Sequence, residues 1–199
     1  MRQVELFPAT KATPEPSIPG LSLTSGYISA DEEQALLSAI DGQLWLTDLK
    51  RRVQHYGYRY DYKARAITKE LYLGPLPEWL QPLCGKLHAD KIFAQKPDQV
   101  IVNEYLPGQG ISSHVDCVPC FGDTIASLSL GSACIMELSN PKTEDKREVL
   151  LEPQSLITLT GLARYEWLHG IPARKSDVIH GLRRMRERRV SLTFRKVIL

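Results

Sequence analysis

The second half of the chain consists largely of short apolar and β-branched runs that turn-forming residues separate from one another. Runs at nearly regular spacing, with no helical pattern between them, are typical of an antiparallel sandwich or barrel. We therefore expect a mainly β fold over about residues 99–197. The runs are QVIVNEYL, TIASLSLG, CIMELS, EVLLE, SLITLTG, YEWLHGI and VSLTFRKV.

The first half carries helical patterns instead. Ser29, with Glu32 three positions later, matches a capping box, and the apolar residues that follow at helical spacing predict a helix over roughly 30–42. The segment LPEWLQPLCGKL, 76–87, predicts a second helix that Pro82 would kink or shorten. We expect these helices to pack on the outside of the sheet, which gives an α+β class with mainly β structure.

The chain length favours a single domain. Residues 1–20 are rich in proline and show no periodicity, so we interpret them as an extended arm. The remaining residues, 21–199, are enough for one domain with a sizeable core, and the sheet core covers about 99–199.

Composition limits the compartment and the partners. Hydrophobic residues make up 43% of the chain, no apolar run approaches a membrane span, and the N-terminus has no apolar signal core. These features predict a soluble cytoplasmic protein that does not contact membranes, and we expect a monomer. The net charge of +2 says little about partners.

The four cysteines are too few for a disulfide-stapled scaffold, and reduced thiols fit a cytoplasmic protein. Cys117 and Cys120 form a C-x-x-C pair, which is either a redox or zinc motif or two ordinary loop cysteines. Because Cys84 and Cys134 form no second C-x-x-C, we favour the ordinary loop.

A histidine and an aspartate two positions apart, His114 and Asp116, lie in the predicted β region. Alternate residues of a strand point to the same side, so both would face one way if the strand runs through them. An isolated H-x-D is usually a strand end followed by a loop. His169 changes this balance, because two histidines and one carboxylate form the facial triad of non-haem Fe(II) oxygenases. His180 is a competitor in a charged, loop-like stretch.

The last strand carries two arginines on one face. In RRVSLTFRK, Arg189, Ser191, Thr193 and Arg195 alternate with Val190, Leu192 and Phe194. Arginine can hold a carboxylate through two hydrogen bonds, so this face suits a dicarboxylate ligand. The alternative is a solvated strand face near the end of the chain.

Four motifs in this order resemble those of the AlkB-like Fe(II)/2-oxoglutarate dioxygenases: NEYLPGQGISSHVD, IASLSLGS, LTGLARYEWLHGI and RRVSLTFRK. The similarity spans about residues 99–197. Before this span, the segment QHYGYRYDY resembles the family more weakly. The resemblance implies a double-stranded β-helix (jelly-roll) core. It implies Fe(II) as cofactor, 2-oxoglutarate and O₂ as cosubstrates, and succinate and CO₂ as products.

The resemblance also assigns residues. Iron would be held by His114, Asp116 and His169. In relatives, the position of Arg195, helped by that of Asn103, binds the 2-oxoglutarate carboxylate beside the keto group. The position of Arg189 binds the distal carboxylate, helped by those of Tyr105 and Ser191. Many relatives have asparagine at the position of Ser191, and a serine hydroxyl can still donate a hydrogen bond.

The family acts mostly on alkylated bases in DNA or RNA, which implies a nucleic-acid substrate and oxidative dealkylation or hydroxylation. HYGYRYDYKAR, 55–65, offers tyrosines interleaved with cations, as a nucleotide-binding lid would. Its candidate substrate-binding residues are Tyr56, Tyr58 and Tyr60, and the alternative is a packed amphipathic hairpin. Similarly, RRMRERR, 183–189, is either a phosphate-binding cluster or a solvated loop.

One position departs from the repair-type pattern. Relatives that repair bases carry an acidic residue two positions after the metal-binding aspartate, and this chain has Val118 there. The surrounding sequence looks closer to relatives that hydroxylate a modified tRNA wobble uridine. Two other possibilities stay open at this point: hydroxylation of a protein side chain, and a jelly-roll that binds without catalysis.

Overall fold

The computed structural model describes residues 18–47 and 49–199. Most of the predicted extended arm, residues 1–17, lies outside the described residues, and Ile18 at its end is buried in the core. The strands in chain order are Leu21–Thr24 (β1), Val53–Tyr56 (β2), Gln99–Tyr105 (β3), Ile111–His114 (β4), Phe121–Gly131 (β5), Cys134–Ser139 (β6), Lys146–Leu151 (β7), Leu156–Leu159 (β8), Leu168–Ile171 (β9), Ser176–Ile179 (β10), Leu182–Met185 (β11) and Arg189–Val197 (β12).

Two antiparallel sheets form the body of the protein. The larger sheet has the order β1-β8-β5-β12-β3-β2, and the smaller sheet has the order β4-β9-β6-β7. Side chains of both sheets share one core cluster, for example Ile125 and Leu159 from the larger sheet and Leu138 and Leu151 from the smaller one. Two facing antiparallel sheets of this kind are the double-stranded β-helix, or jelly roll, that the family resemblance implies.

The first half contributes more to the sheet than its sequence suggests. β1 pairs with β8, and β2 pairs with β3, so two strands from before residue 99 extend the larger sheet. The first half therefore supplies strands to the larger sheet in addition to the predicted helices. A short run such as LSLT is too brief for its alternation to indicate a strand.

The helices lie where the sequence predicts. Ala30–Asp41 (α1) begins after Ser29, whose side chain and that of Glu32 form the predicted capping box. The second predicted helix is a 3₁₀ turn, Glu78–Leu80, followed by Gln81–Ala89 (α2). Pro82 lies in the first turn of α2, where a missing backbone N–H costs nothing, so it starts the helix instead of kinking it.

Both helices pack on the outer face of the larger sheet. Ile40 of α1 and Leu87 of α2 share a second core cluster with Leu128 and Leu192 of the central strands. The larger sheet is therefore covered on both faces, by the helices on one side and by the smaller sheet on the other. Among the described residues, no helix has the length and apolar character needed to cross a bilayer.

Two further elements border the smaller sheet. A short helix, Gly161–Tyr165 (α3), ends on the first residue of the run YEWLHGI, and β9 begins only at Leu168. β10 and β11 form a separate two-stranded hairpin between β9 and β12.

Candidate metal and cosubstrate site

The two candidate histidines face each other across neighbouring strands. His114, the last residue of β4, is the register partner of His169 on β9, and their ring centroids are 4.5 Å apart. Asp116 lies two residues beyond the end of β4, so the strand includes His114 but not Asp116. The loop nevertheless returns the carboxylate to the histidines. One ligand atom from each residue lies within 4.8 Å of the others.

Asp116 is buried and ionised. Burial alone would raise the pKa of its carboxyl, but the positive charge of Arg195 outweighs burial and lowers that pKa to about 2. The Arg195 Nη2 lies 2.7 Å from Asp116 Oδ1. The second oxygen, Oδ2, is buried without a hydrogen-bond partner among the described residues and lies 3.5 Å from His169 Nε2. A buried carboxylate oxygen in this position is suited to a cation.

The two histidines bring imidazole nitrogens to the same place. Burial lowers the pKa of His169 to about 4, so the imidazole is uncharged at neutral pH. His114 Nδ1 lies 2.8 Å from the Ser112 carbonyl oxygen, so it donates there, and Nε2 is the nitrogen left to bind a metal. Two imidazoles and one carboxylate fit Fe(II), and this donor set leaves coordination positions open for other ligands.

A cavity of about 630 Å³ opens beside this cluster between the two sheets. Its lining includes every residue that the sequence assigns to the metal and to 2-oxoglutarate: Asn103, Tyr105, His114, Asp116, His169, Arg189, Ser191 and Arg195. The structure thus brings these sites together in one cavity, and their individual roles stay predictions.

Arg189 has unused donors inside the cavity. Its side chain is 3% exposed, and its Nη2 donates to Ser129 Oγ at 2.7 Å. Its Nε and Nη1 are buried with no hydrogen-bond partner among the described residues. A buried guanidinium with free N–H groups is costly unless an anion accepts them, so this arginine suits a ligand carboxylate. The alternative of a solvated strand face does not hold for this residue.

Some of the N–H groups of Arg195 already donate hydrogen bonds within the protein. Besides the Asp116 carboxylate, it donates from Nη1 to Gln99 Oε1 at 3.1 Å. A guanidinium has five N–H donors, so these bonds leave room for a further acceptor. Arg195 therefore links the Asp116 carboxylate to Gln99 of β3.

Three residues that support the site, Arg164, Ser127 and Ser129, are not predicted from the sequence. Arg164 is 2% exposed and donates to the carbonyl oxygens of Asp116 and Cys117, which fixes the loop after β4. Ser127 and Ser129 lie on the cavity face of β5 and bond Ser191 and Arg189. The alternation of polar and apolar residues in IASLSLG was the available signal for the serines, whereas nothing local marks Arg164.

Of the three tyrosines proposed for substrate binding, Tyr60 lines the cavity, together with Tyr62. Tyr56 packs edge-on against Trp79, with ring centroids 5.3 Å apart, and Tyr58 packs against Tyr72 at 4.9 Å. Neither Tyr56 nor Tyr58 is part of the cavity lining, so the structure brings one of the three tyrosines, Tyr60, to the cavity.

The arginines of the basic run RRMRERR lie in different environments. Arg186 is buried in bidentate contact with Asp177, and Arg188 binds Glu104 and Asp41. Arg183 and Arg184 alone of its five arginines are exposed on the β10–β11 hairpin. The run is therefore neither a single phosphate-binding cluster nor a plain solvated loop.

The cysteines differ from the expectation of reduced thiols. Cys117 and Cys120 form a disulfide immediately after Asp116, whereas Cys84 and Cys134 are free and buried. Cys117 Sγ lies 3.2 Å from the Arg65 carbonyl oxygen, so the disulfide contacts the tyrosine-rich loop.

The fold and the donor set define a class of protein, and comparison with known families agrees. The chain belongs to the 2OG-Fe(II) oxygenase superfamily, whose family model matches residues 24–195. Members of this family use Fe(II), 2-oxoglutarate and O₂. Within it the chain is AlkB-like, a 2-oxoglutarate-dependent dioxygenase.

Its relatives include proteins of several sizes. The chain is 41% identical to uncharacterized protein L905 of Acanthamoeba polyphaga mimivirus, over 90% of this chain and 85% of the viral one. It is 38% identical to the alkylated DNA repair protein ALKBH8 homolog of Arabidopsis thaliana, over 97% of this chain and 62% of the plant protein. It is 36% identical to tRNA (carboxymethyluridine(34)-5-O)-methyltransferase ALKBH8 of Mus musculus, over 90% of this chain but 30% of the mouse protein.

Solved structures share the fold at low identity. The structure of OsALKBH1 superposes with a TM-score of 0.65 at 17% identity and covers 89% of this chain and 98% of that one. A prolyl-4-hydroxylase from Pseudomonas putida gives a TM-score of 0.58 at 14% identity, over 90% of this chain and 93% of that one.

Proposed function

We propose that this protein oxidises an alkylated or otherwise modified base in DNA or RNA. His114, Asp116 and His169 hold Fe(II), while Asn103, Tyr105, Arg189, Ser191 and Arg195 hold 2-oxoglutarate. When bound, the iron supplies the oxidation of a substrate C–H bond, coupled to decarboxylation of 2-oxoglutarate to succinate and CO₂.

The residues of the chain provide binding and orientation. Arg189 neutralises one cosubstrate carboxylate with its free donors, and Tyr105 lies beneath its guanidinium, 5.5 Å from ring centroid to Cζ. Arg195 keeps Asp116 ionised and fixed, and the neutral His169 would supply an imidazole nitrogen to the metal.

The observation that carries the nucleic-acid proposal is the open side of the cavity. Its exposed lining residues include Lys50, Tyr62 and Arg65, with Tyr60 next to Tyr62 at a ring-centroid distance of 5.1 Å. Aromatic faces can stack on an extruded base, and flanking cations can contact phosphates. The names of the relatives in Arabidopsis thaliana and Mus musculus, which refer to DNA repair and to tRNA, support the same class of substrate.

A modified RNA base is the second candidate within this class. Val118, which is 50% exposed, stands where repair-type relatives carry an acidic group that reads the base edge. An apolar side chain at this position cannot accept a hydrogen bond from a base, so it favours a substrate that is selected by other contacts.

The test is a substrate panel. Iron-loaded protein is incubated with 2-oxoglutarate and, separately, alkylated DNA, alkylated RNA, bulk tRNA and cell-extract protein, and succinate and product masses are measured. We expect succinate that requires Fe(II), with a lost alkyl group or an added oxygen on nucleic acid. Added oxygen on protein alone would contradict the substrate class, and absence of both 2-oxoglutarate binding and succinate would favour a non-catalytic jelly roll.

Three sequence-based expectations stay predictions. They are the monomeric state, residence in the cytoplasm, and the division into an arm, residues 1–20, and one domain, residues 21–199.

A further inference from the structure

We propose that Arg51 is a positioning residue for 2-oxoglutarate, and that it acts by orienting the side-chain amide of Asn103. The inference rests on the proposed role of Asn103 in holding the cosubstrate. Neither the motifs of the sequence nor the resemblance assigns a role to Arg51. In the structure it lines the same cavity as Asn103 and Arg189.

The contact fixes which end of the amide faces which way. Arg51 Nε lies 2.8 Å from Asn103 Oδ1, and a guanidinium can only donate. The Asn103 atom that meets Arg51 is therefore the carbonyl oxygen, and the NH₂ group lies on the opposite side of the amide. No hydrogen bond among the described residues uses that NH₂ group. Asn103 is thus left with a free donor in a cavity that suits a dicarboxylate.

Backbone pairing holds Arg51 in place. Val53 of β2 is the register partner of Asn103 on β3, so the residues just before β2 run beside Asn103 and Glu104. The adjacent Arg52 points to the other face of β3, where its Nη2 donates to Glu104 Oε1 at 2.8 Å. Arg52 also lies 4.5 Å from the Trp45 ring centroid. Arg51 and Arg52 therefore bind side chains on opposite faces of β3.

Without Arg51, the side-chain amide of Asn103 could rotate by half a turn and exchange the positions of its oxygen and its NH₂ group. In the turned orientation the carbonyl oxygen of Asn103 would face a cosubstrate carboxylate, which repels it instead of accepting a hydrogen bond. We expect Arg51→Ala to weaken 2-oxoglutarate binding by about tenfold, the loss expected for one hydrogen bond to a charged group.

The experiment is a double-mutant cycle on 2-oxoglutarate affinity. Protein loaded with Mn(II) in the absence of O₂ is titrated with 2-oxoglutarate by calorimetry, for the wild type, Arg51→Ala, Asn103→Ala and the double variant. If Arg51 acts through Asn103, the double variant binds no more weakly than Asn103→Ala alone. Losses that multiply would instead mean that Arg51 contributes independently, through its charge, and would overturn the proposal.

Two matched variants separate positioning from damage to the fold. Asn103→Asp keeps an oxygen for Arg51 but has no NH₂ group, so it should lose at least as much affinity as Asn103→Ala. Arg52→Ala removes the neighbouring arginine from the other face of β3, and it should leave the affinity within about twofold, although it removes an ion pair. If Arg51→Ala does not fold, Arg51→Met preserves the packing of the stem and takes its place in the cycle.

The outcomes distinguish the role of Arg51 from the proposed function on which it rests. Wild-type affinity in Arg51→Ala, together with weakened binding in Asn103→Ala, overturns the role of Arg51 and leaves the proposed site intact. Unchanged binding in Asn103→Ala overturns the assignment of Asn103 and with it the inference. A wild type that binds no 2-oxoglutarate overturns the proposed function itself.

Discussion

His169 is kept neutral by burial, and this gives the metal-free protein a pH-dependent stability. Its pKa is lowered to about 4 from an ordinary value near 6.5, so between these values the unfolded chain binds a proton that the folded protein does not. The free energy of unfolding should therefore rise with pH across this window, by up to about 3 kcal/mol from this residue.

Chemical denaturation of chelator-treated protein between pH 4 and pH 7 measures this dependence. His169→Gln removes the titrating group, so its stability should change less with pH than that of the wild type over the same range. An equal slope in both proteins would show that other groups are responsible.

Removing the same imidazole should separate chemistry from nucleic-acid binding. His169→Ala takes away one of three clustered ligand groups, so Fe(II)-dependent succinate formation should fall to background. Affinity for a nucleic-acid substrate should stay within about twofold, because the exposed cations and tyrosines are untouched. Succinate formation at the wild-type rate in this variant would remove His169 from the site.

Individual site residues can be predicted from the sequence when a pattern of neighbouring residues marks them. Arg189 and Arg195 are recognisable because they share one face of a strand with period two, and both are buried in the cavity. Arg51 and Arg164 are not recognisable, because their partners, Asn103 and the carbonyl of Asp116, come from distant parts of the chain. No local pattern reports such a contact.

Among the structural elements, the β10–β11 hairpin presents the exposed part of the basic run. Charge reversal of Arg183 and Arg184 to glutamate should weaken nucleic-acid binding by about tenfold at low salt and less at high salt, because each phosphate contact releases counterions. Lys146→Glu with Arg147→Glu on β7 is a matched control, since these are also two adjacent exposed cations. Equal losses in both pairs would mean that net charge, and not the hairpin, determines binding.

The tyrosine-rich segment shows why element boundaries are hard to predict. A strand through HYGYRYDY would place its tyrosines on one face, but β2 ends at Tyr56. Gly57 has a φ of 75°, and a Cβ there would lie 1.8 Å from the Asp98 carbonyl oxygen. The chain therefore turns at Gly57, the alternation is interrupted, and Tyr60 reaches the cavity while Tyr56 does not.

For the molecule as a whole, the larger sheet is the structural centre because it is packed on both faces. Leu128 is fully buried against the helices, and Leu128→Ala should lower the free energy of unfolding by about 2–5 kcal/mol. Leu162, on α3, is 47% exposed, and its alanine variant should cost less than about 0.5 kcal/mol. Denaturant titration of both variants compares the same chemical change in the two environments.

The fold as a whole is predictable from the spacing of the late strands, and the outward position of the helices is predictable from their one-sided apolar patterns. The pairing of β1 with β8 is not, because Leu21 meets Leu159 through contacts that no local pattern encodes. The Cys117–Cys120 disulfide is likewise contrary to an expectation built on composition alone.

The direct pairing of His114 with His169 has a mechanical consequence. β4 is a four-residue edge strand that pairs with β9, and its register is irregular between Ile111 and His114. With both imidazoles on one ion, the edge strand would be fastened to its neighbour through side chains as well as through the backbone. Metal loading should then slow amide hydrogen exchange in residues 111–114 far more than in the central strand β12.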